Sequence, residues 1–178
     1  MGASVPRACR SWAIYRDADD RFDAHQGPPL GRGRKRGAHK QAIGRSRGGR
    51  NTKIHALADA KGRLLSILLS GGEKHDCPPA QRLIRRIKAA KKLLGDKAYD
   101  SAELRQWLHQ RGTRPVVPNR SNRKQPFSFD RKAYKLRHRI ENAFGRLKDF
   151  RRIATRYDKL ARNFLAAVCL AAAIVWWT

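Results

Sequence analysis

Acidic residues are what this chain has least of. Fourteen Asp and Glu stand against 41 Lys and Arg among 178 residues, a formal net charge of +27. Like charges at that density repel unless a polyanion neutralises them. A metabolic enzyme for small neutral substrates is therefore set aside, and nucleic acid comes first among partners, ahead of an anionic membrane surface. Cysteine is scarce too. Cys9, Cys77 and Cys169 are scattered and odd in number, with no CxxC or Cys/His pairing. Neither a disulfide framework nor a zinc site is expected, and a reducing, cytoplasmic setting fits. Long apolar runs are missing as well. The longest, Phe164 to Trp177, has 14 residues, short of the ~20 that cross a bilayer. Its alanines suit a buried core helix, and no membrane partner is expected. Met1 to Arg21 carries charges throughout and lacks the apolar stretch of a secretory signal. No internal repeat is evident. What is present is a 40% hydrophobic fraction, enough for one domain with a real core.

Residues 27–50 are rich in Gly, Arg and Lys and read as a loop, mobile or ordered by nucleic acid, rather than a packed element. Thr52 to Ala58 and Arg63 to Ser70 read as strands around an Asp59-Ala60-Lys61-Gly62 turn. A helix is expected from Pro79 to about Lys92, opened by Pro78-Pro79. Leu93-Leu94-Gly95 is a short strand running into Asp96. Ser101 is an expected N-cap for a helix to about Arg111. Thr113 to Val117 is a further strand, Asn119 to Asp130 a basic loop, and Tyr134 to Phe150 and Lys159 to Trp176 are helices. An antiparallel pair followed by alternating strands and helices points to an α/β chain, with a mixed sheet flanked by helices. That order suits an RNase H-like sheet if one more strand precedes the hairpin, and Trp12 to Tyr15 is the candidate.

Two carboxylates could carry chemistry. Asp96 follows a buried-looking strand, where open sheets with helical crossovers place functional groups; a simple turn aspartate is equally open on position. Glu141 shares a helical face with three other residues. At about 100° per residue, Tyr134, Arg137 and Lys148 fall within about 40° of it. The bland reading is a solvated face with one Arg/Glu pair, which is weak. Two carboxylates on separate elements of a basic chain also suit Mg²⁺, which takes oxygen ligands together with substrate phosphates. Gly44-Arg45-Ser46-Arg47-Gly48-Gly49 would let backbone and guanidinium groups approach phosphates. Arg120, Asn122, Arg123 and Lys124 form a second loop with the same reading. His25, His55, His75, His109 and His138 show no metal-ligand spacing, and His75-Asp76 reads as a loop or helix-cap pair.

The spacing Tyr134-x2-Arg137-x3-Glu141-x6-Lys148 is the Y-(2)-R-(3)-E-(6)-K signature of bacterial insertion-sequence transposases of the DDE type. The surrounding text resembles the insertion-sequence-five-like branch. The matching stretches are Gly44 to Gly49, Thr52-Lys53-Ile54-His55-Ala56-Leu57, Gly95-Asp96-Lys97-Ala98-Tyr99-Asp100, Arg156-Tyr157-Asp158-Lys159 and the Ala-rich tail. The resemblance covers about Ala42 to Trp177. It implies an RNase H-like catalytic domain over 51–178, after an irregular basic segment, 1–50, with a first strand at 12–17. Asp96 would be the second catalytic aspartate and Glu141 the catalytic glutamate, both binding Mg²⁺ or Mn²⁺. Arg137 and Lys148 would contact DNA phosphates, with Tyr134 supporting that helix, and Arg45, Arg47 and Arg123 would add DNA contacts. The implied activity is metal-dependent hydrolysis at the element's ends, then attack of the 3′ hydroxyl on target DNA. Partners would be end and target DNA, a homo-oligomer on that DNA, and a separately encoded N-terminal part; the setting would be the bacterial nucleoid in the cytoplasm. The chain departs from the family at the first aspartate. Ala24-His25-Gln26 looks like its downstream landmark, but seven residues back from His25 is Ala18. Asp17 is preferred because it follows the Trp12 to Tyr15 strand; Asp19 and Asp20 stay open. A non-catalytic basic nucleic-acid-binding protein is the rival reading.

Overall fold

The computed structural model describes residues 11–17, 41–46 and 49–178. β1 (Ser11–Asp17), β2 (Gly44–Ser46), β3 (Gly49–Ala58) and β4 (Leu64–Gly71) come first, followed by α1 (Cys77–Ile84) and β5 (Lys92–Gly95). A 3-10 turn (Lys97–Tyr99), α2 (Ala102–Gln110), β6 (Arg114–Val116) and α3 (Arg131–Tyr134) follow. A second 3-10 turn (Lys135–Arg137) leads into α4 (His138–Lys148), α5 (Arg151–Ala154) and α6 (Ala161–Trp177).

The β3–β4 hairpin forms where the turn chemistry called for it. The Asp59 carboxylate accepts from the backbone N–H of Lys61 (2.9 Å) and Arg63 (3.0 Å) and pairs with the Arg63 guanidinium at 2.7 Å. Gly62 sits at φ 85°, and a Cβ there would come within 3.0 Å of the Arg139 carbonyl oxygen. The turn therefore needs glycine twice, for its backbone angle and for its close approach to the first turn of α4.

β1 lies in the middle of the sheet, antiparallel to β3 and parallel to β5, which is parallel to β6. β4 closes the other side of β3, and β2 pairs with the N-terminal end of β3. This is the RNase H-like mixed sheet with helices on both faces. Alternation along the strands sorts the core. Ile54, Ala56, Ala58, Leu94 and Val116 pack with Ile140, Phe144 and Leu147 of α4 and with Phe164 and Val168 of α6. Leu57, Leu93 and Val117 face the other way, onto Leu83 and Ile84 of α1 and Leu104 and Leu108 of α2.

Four local expectations are corrected. α1 ends at Ile84 rather than near Lys92. Arg85, Arg86, Lys88, Lys91 and Lys92 would crowd like charges along one short helix, and Lys92 is taken into β5 instead. Gly44–Ser46 is a strand, not a loop. The helix expected from Tyr134 is interrupted by the 3-10 turn before α4. α5, within the expected connection, is a short extra turn of helix. Among the described residues, no helix is long and apolar enough to cross a membrane.

Candidate active site

Asp96 is the residue after β5. Its backbone is still extended (φ −79°, ψ 174°), and its carboxylate accepts from the Ala98 N–H at 2.8 Å, capping the 3-10 turn. That cap fixes a half-buried carboxylate at the C-terminal end of a central parallel strand. In extended backbone, residues two apart point to the same face, so Asp96 shares the side of Leu94. Leu94 packs with α4, the helix that carries Glu141.

The approach to α4 runs alongside β5. At its start Asp130 caps α3 through the Ala133 N–H (2.9 Å) and pairs with Lys92 of β5 (2.9 Å). These contacts hold the Asp130 carboxyl below the usual range, the Ala133 N–H first and the Lys92 ammonium second. The 3-10 turn then shapes the face predicted from helical spacing. In 3-10 geometry residues i and i+3 eclipse, so Arg137 comes over the Tyr134 ring, 5.3 Å from its centroid. Phe129 meets the same ring edge-on at 5.8 Å. Arg137 also pairs with Glu141 at 2.7 Å. Burial first, and then the negative fields of Asp96 and Glu141, push the Tyr134 phenol up, while Arg137 pulls it down. Lys148, two turns along α4, is half-buried on the same face and has its own contact.

Asp17 is the last residue of β1, at the register position opposite Ile54. Ile14 lies beside Gly95 across the parallel pair, so Asp17 ends its strand at the same edge of the sheet as Asp96. Its side chain, like Asp19, Asp20, Arg47 and the Ala24-His25-Gln26 stretch, lies outside the described residues. Among the described residues no three His, Cys, Asp or Glu side chains gather at metal-binding distance. Asp96 and Glu141 each offer carboxylate oxygens, the donor type that Mg²⁺ and Mn²⁺ prefer.

The family model described as "Transposase DDE domain" matches residues 16–176. The chain belongs to the DDE transposases. It is 37% identical over 127 residues to the protein named "Putative transposase for insertion sequence element IS6501" of Brucella ovis, covering 70% of this chain and 97% of that one. It is 28% identical over 128 residues to the transposase for IS1106 of Neisseria meningitidis serogroup B, covering 66% and 44%. Among solved structures, a piggyBac transposase synaptic complex with hairpin DNA shares the fold, with a TM-score of 0.53 at 12% identity, over 96% of this chain and 48% of that one.

The basic residues of this DDE transposase divide into two kinds. Arg45 is exposed in β2, across from Arg50. Arg123 is not the free loop cation that composition implied. Its guanidinium pairs with Asp100 at 2.7 Å and lies 4.8 Å from the centre of the Phe127 ring. Arg105 takes the other Asp100 oxygen at 3.0 Å, bonds the Val117 carbonyl at 2.7 Å and stacks on the same ring at 4.8 Å. The Arg120 N–H completes the set at 2.8 Å. Burial alone would raise the Asp100 carboxyl; Arg123, the Arg120 N–H and Arg105 together hold it below the usual range. Sequence reasoning missed this centre because its partners are 5, 20 and 23 residues apart along the chain.

Arg156 was also missed. Its buried guanidinium donates to the carbonyls of Gln41, Lys159 and Asp158 (3.0, 3.4 and 3.0 Å) and to the Thr52 hydroxyl, and it lies over Phe164. Burial lowers its pKa to about 10, opposed by Asp158. Through these bonds it ties β3 and the Gln41–Ala42 corner to the α5–α6 connection. Asp76, at the start of α1, pairs with buried Lys53 at 3.2 Å and makes no side-chain cap. Asp76, Asp100 and Asp130 are therefore cross-links between elements rather than chemistry.

Proposed function

We propose that this DDE transposase uses Asp96 and Glu141 to hold a catalytic divalent cation, Mg²⁺ or Mn²⁺, with Asp17 as the third carboxylate. What supports the reading is geometric: Asp96 ends β5 on the side of Leu94, which packs with α4, and Glu141 of α4 pairs with the Arg137 that lies over the Tyr134 ring. Glu141 lies in the first turn of α4, where the helix dipole favours an ionised carboxylate. Its pairing with Arg137 is an i,i+4 bond with the arginine first, the weaker orientation, worth a few tenths of a kcal/mol. It can therefore open when a stronger ligand arrives.

When bound, such cations stabilise the attacking and leaving oxygens of an in-line phosphoryl displacement. The residues of the chain do the rest. Arg137, held over the Tyr134 ring, and Lys148, about two helical turns beyond Glu141, contact backbone phosphates near the element's end. Tyr134 keeps the Arg137 guanidinium in register with Glu141. Arg45 adds charge at the edge of the sheet. The substrate is DNA, and the reaction is strand cleavage at the ends followed by strand transfer. A homo-oligomer on paired ends and a separately encoded N-terminal part belong to the same reading.

Nicking of a plasmid bearing the element's ends, with Mg²⁺ or Mn²⁺, tests it. Asp96→Asn and Glu141→Gln should each lower the rate by about 10³-fold, since a metal supplies several kcal/mol at 1.36 kcal/mol per decade. Nicking unchanged in either variant rejects the assignment.

A further inference from the structure

Beside the Asp96 turn the loop after β6 surrounds a solvent-open cavity of about 440 Å³, lined by Asp100, Arg120, Asn122, Arg123, Lys124 and Gln125. Its electrostatics are one-sided. Three cations face one carboxylate, and that carboxylate is consumed by Arg105, Arg123 and the Arg120 N–H. Lys124 forms no ion pair with any described residue. The loop is also ordered in advance. The Asn119 amide brackets the Phe127 backbone with two bonds of 2.9 Å, and two guanidinium groups, those of Arg105 and Arg123, each lie 4.8 Å from the centre of the Phe127 ring. A ligand that binds here meets a site whose ordering cost is already met by the fold.

The cavity is joined to the candidate active site by Arg120. Its guanidinium donates to the carbonyls of Lys97 (3.3 Å) and Ala98 (2.9 Å), within two residues of Asp96. We propose that this basin is a second DNA contact, resting on the transposase reading above, which seats a backbone phosphate of duplex DNA lying across Asp96 and Glu141. Lys124 and the outward N–H groups of Arg120 carry the charge, and Asn122 and Gln125 offer amide donors. An open, cationic, polar basin suits a passing phosphodiester strand better than a small molecule, which needs enclosure and apolar lining. The contact is to backbone, so it positions the duplex without reading sequence.

The test is fluorescence anisotropy of a fluorescein-labelled random-sequence duplex of ~30 base pairs between ~50 and ~200 mM KCl. The full chain is compared with Lys124→Gln, Asn122→Asp and Lys88→Gln. Lys88 is exposed in the connection entering β5 from the opposite end. One phosphate contact contributes about 0.9 to the slope of log K against log salt. Lys124→Gln should therefore weaken binding and flatten the slope by about 0.9, so that its deficit shrinks roughly 3-fold across that range. Asn122→Asp, which places an acid in the basin, should weaken binding at least as much, and Lys88→Gln should keep the wild-type slope. If the wild-type chain binds with a steep slope and both basin variants keep that slope, the basin is not a DNA contact while the transposase reading stands. If the wild-type chain shows no salt-dependent binding, both fall together.

Discussion

Replacing Asp100 by alanine should be among the most damaging single changes in the chain. The Asp100 side chain is fully buried and serves three donors, while Arg105 is 5% exposed and Arg123 20% exposed. Removing one partner of a buried pair leaves an uncompensated charge and costs ~3–5 kcal/mol. Arg123 can turn toward water, which puts this pair at the low end, about 3 kcal/mol. The stranded Arg120 N–H adds about 1 kcal/mol. For a chain of this size, about 4 kcal/mol lowers Tm by roughly 8–16 °C. Thermal unfolding by circular dichroism at pH 7 measures it. The pH dependence supplies an independent check. The folded carboxyl lies below its ordinary value, so its stabilisation is complete above the unfolded pKa of about 4 and is lost as pH falls through the folded one. The gap between wild type and variant should therefore close in acid. A variant that melts within about 3 °C of wild type at pH 7, or a gap unchanged near pH 2, would refute the role given to Asp100.

Three further outcomes follow from the same geometry. Arg156→Met removes a guanidinium that serves five backbone or hydroxyl groups on three segments, and should cost ~2–4 kcal/mol; hydrogen exchange should rise first around residues 41–52, and uniform exchange would count against the clasp. Ile140→Ala, at a fully buried position next to Glu141, should cost ~2–5 kcal/mol by denaturant unfolding; a loss below ~1 kcal/mol would mean that α4 is not anchored there. Gly62→Ala combines a positive φ with a 3.0 Å approach to the Arg139 carbonyl and should cost ~1–3 kcal/mol; an unchanged urea midpoint would show that the hairpin and α4 are not in contact.

Much of this architecture was legible because local rules and tertiary packing agree. The Asp59 to Gly62 turn, the Ser101 cap and the alternation in β3 are each fixed within a few residues. Ser101 does accept the Leu104 N–H, at 3.4 Å, and Asp96 was found because a short apolar strand ends just before it. The stripe holding Glu141 survived although the helix did not run straight through. The 3-10 turn rotates Tyr134 by only about 60° in all, which leaves it beside Arg137. Three other features were decided by distant partners. Arg123 looked like a free cation because composition shows charge but not pairing, and Asp100 lies 23 residues away. Asp76 suited a helix cap by position, yet a buried lysine on β3 takes it. The end of α1 was set by β5 claiming Lys92, which no periodicity within the helix reveals.

Whether Asp96 and Glu141 share one metal ion is tested most directly, and without any need for turnover, by Mn²⁺ binding followed by electron paramagnetic resonance. Wild type, Asp96→Asn, Glu141→Gln and the double variant are titrated under identical conditions. Ligands of one ion act as a unit, so either single variant should lose nearly as much affinity as the pair, a strongly non-additive cycle. Additive losses, or Mn²⁺ binding that persists unchanged in both single variants, would show that the two carboxylates hold no common ion.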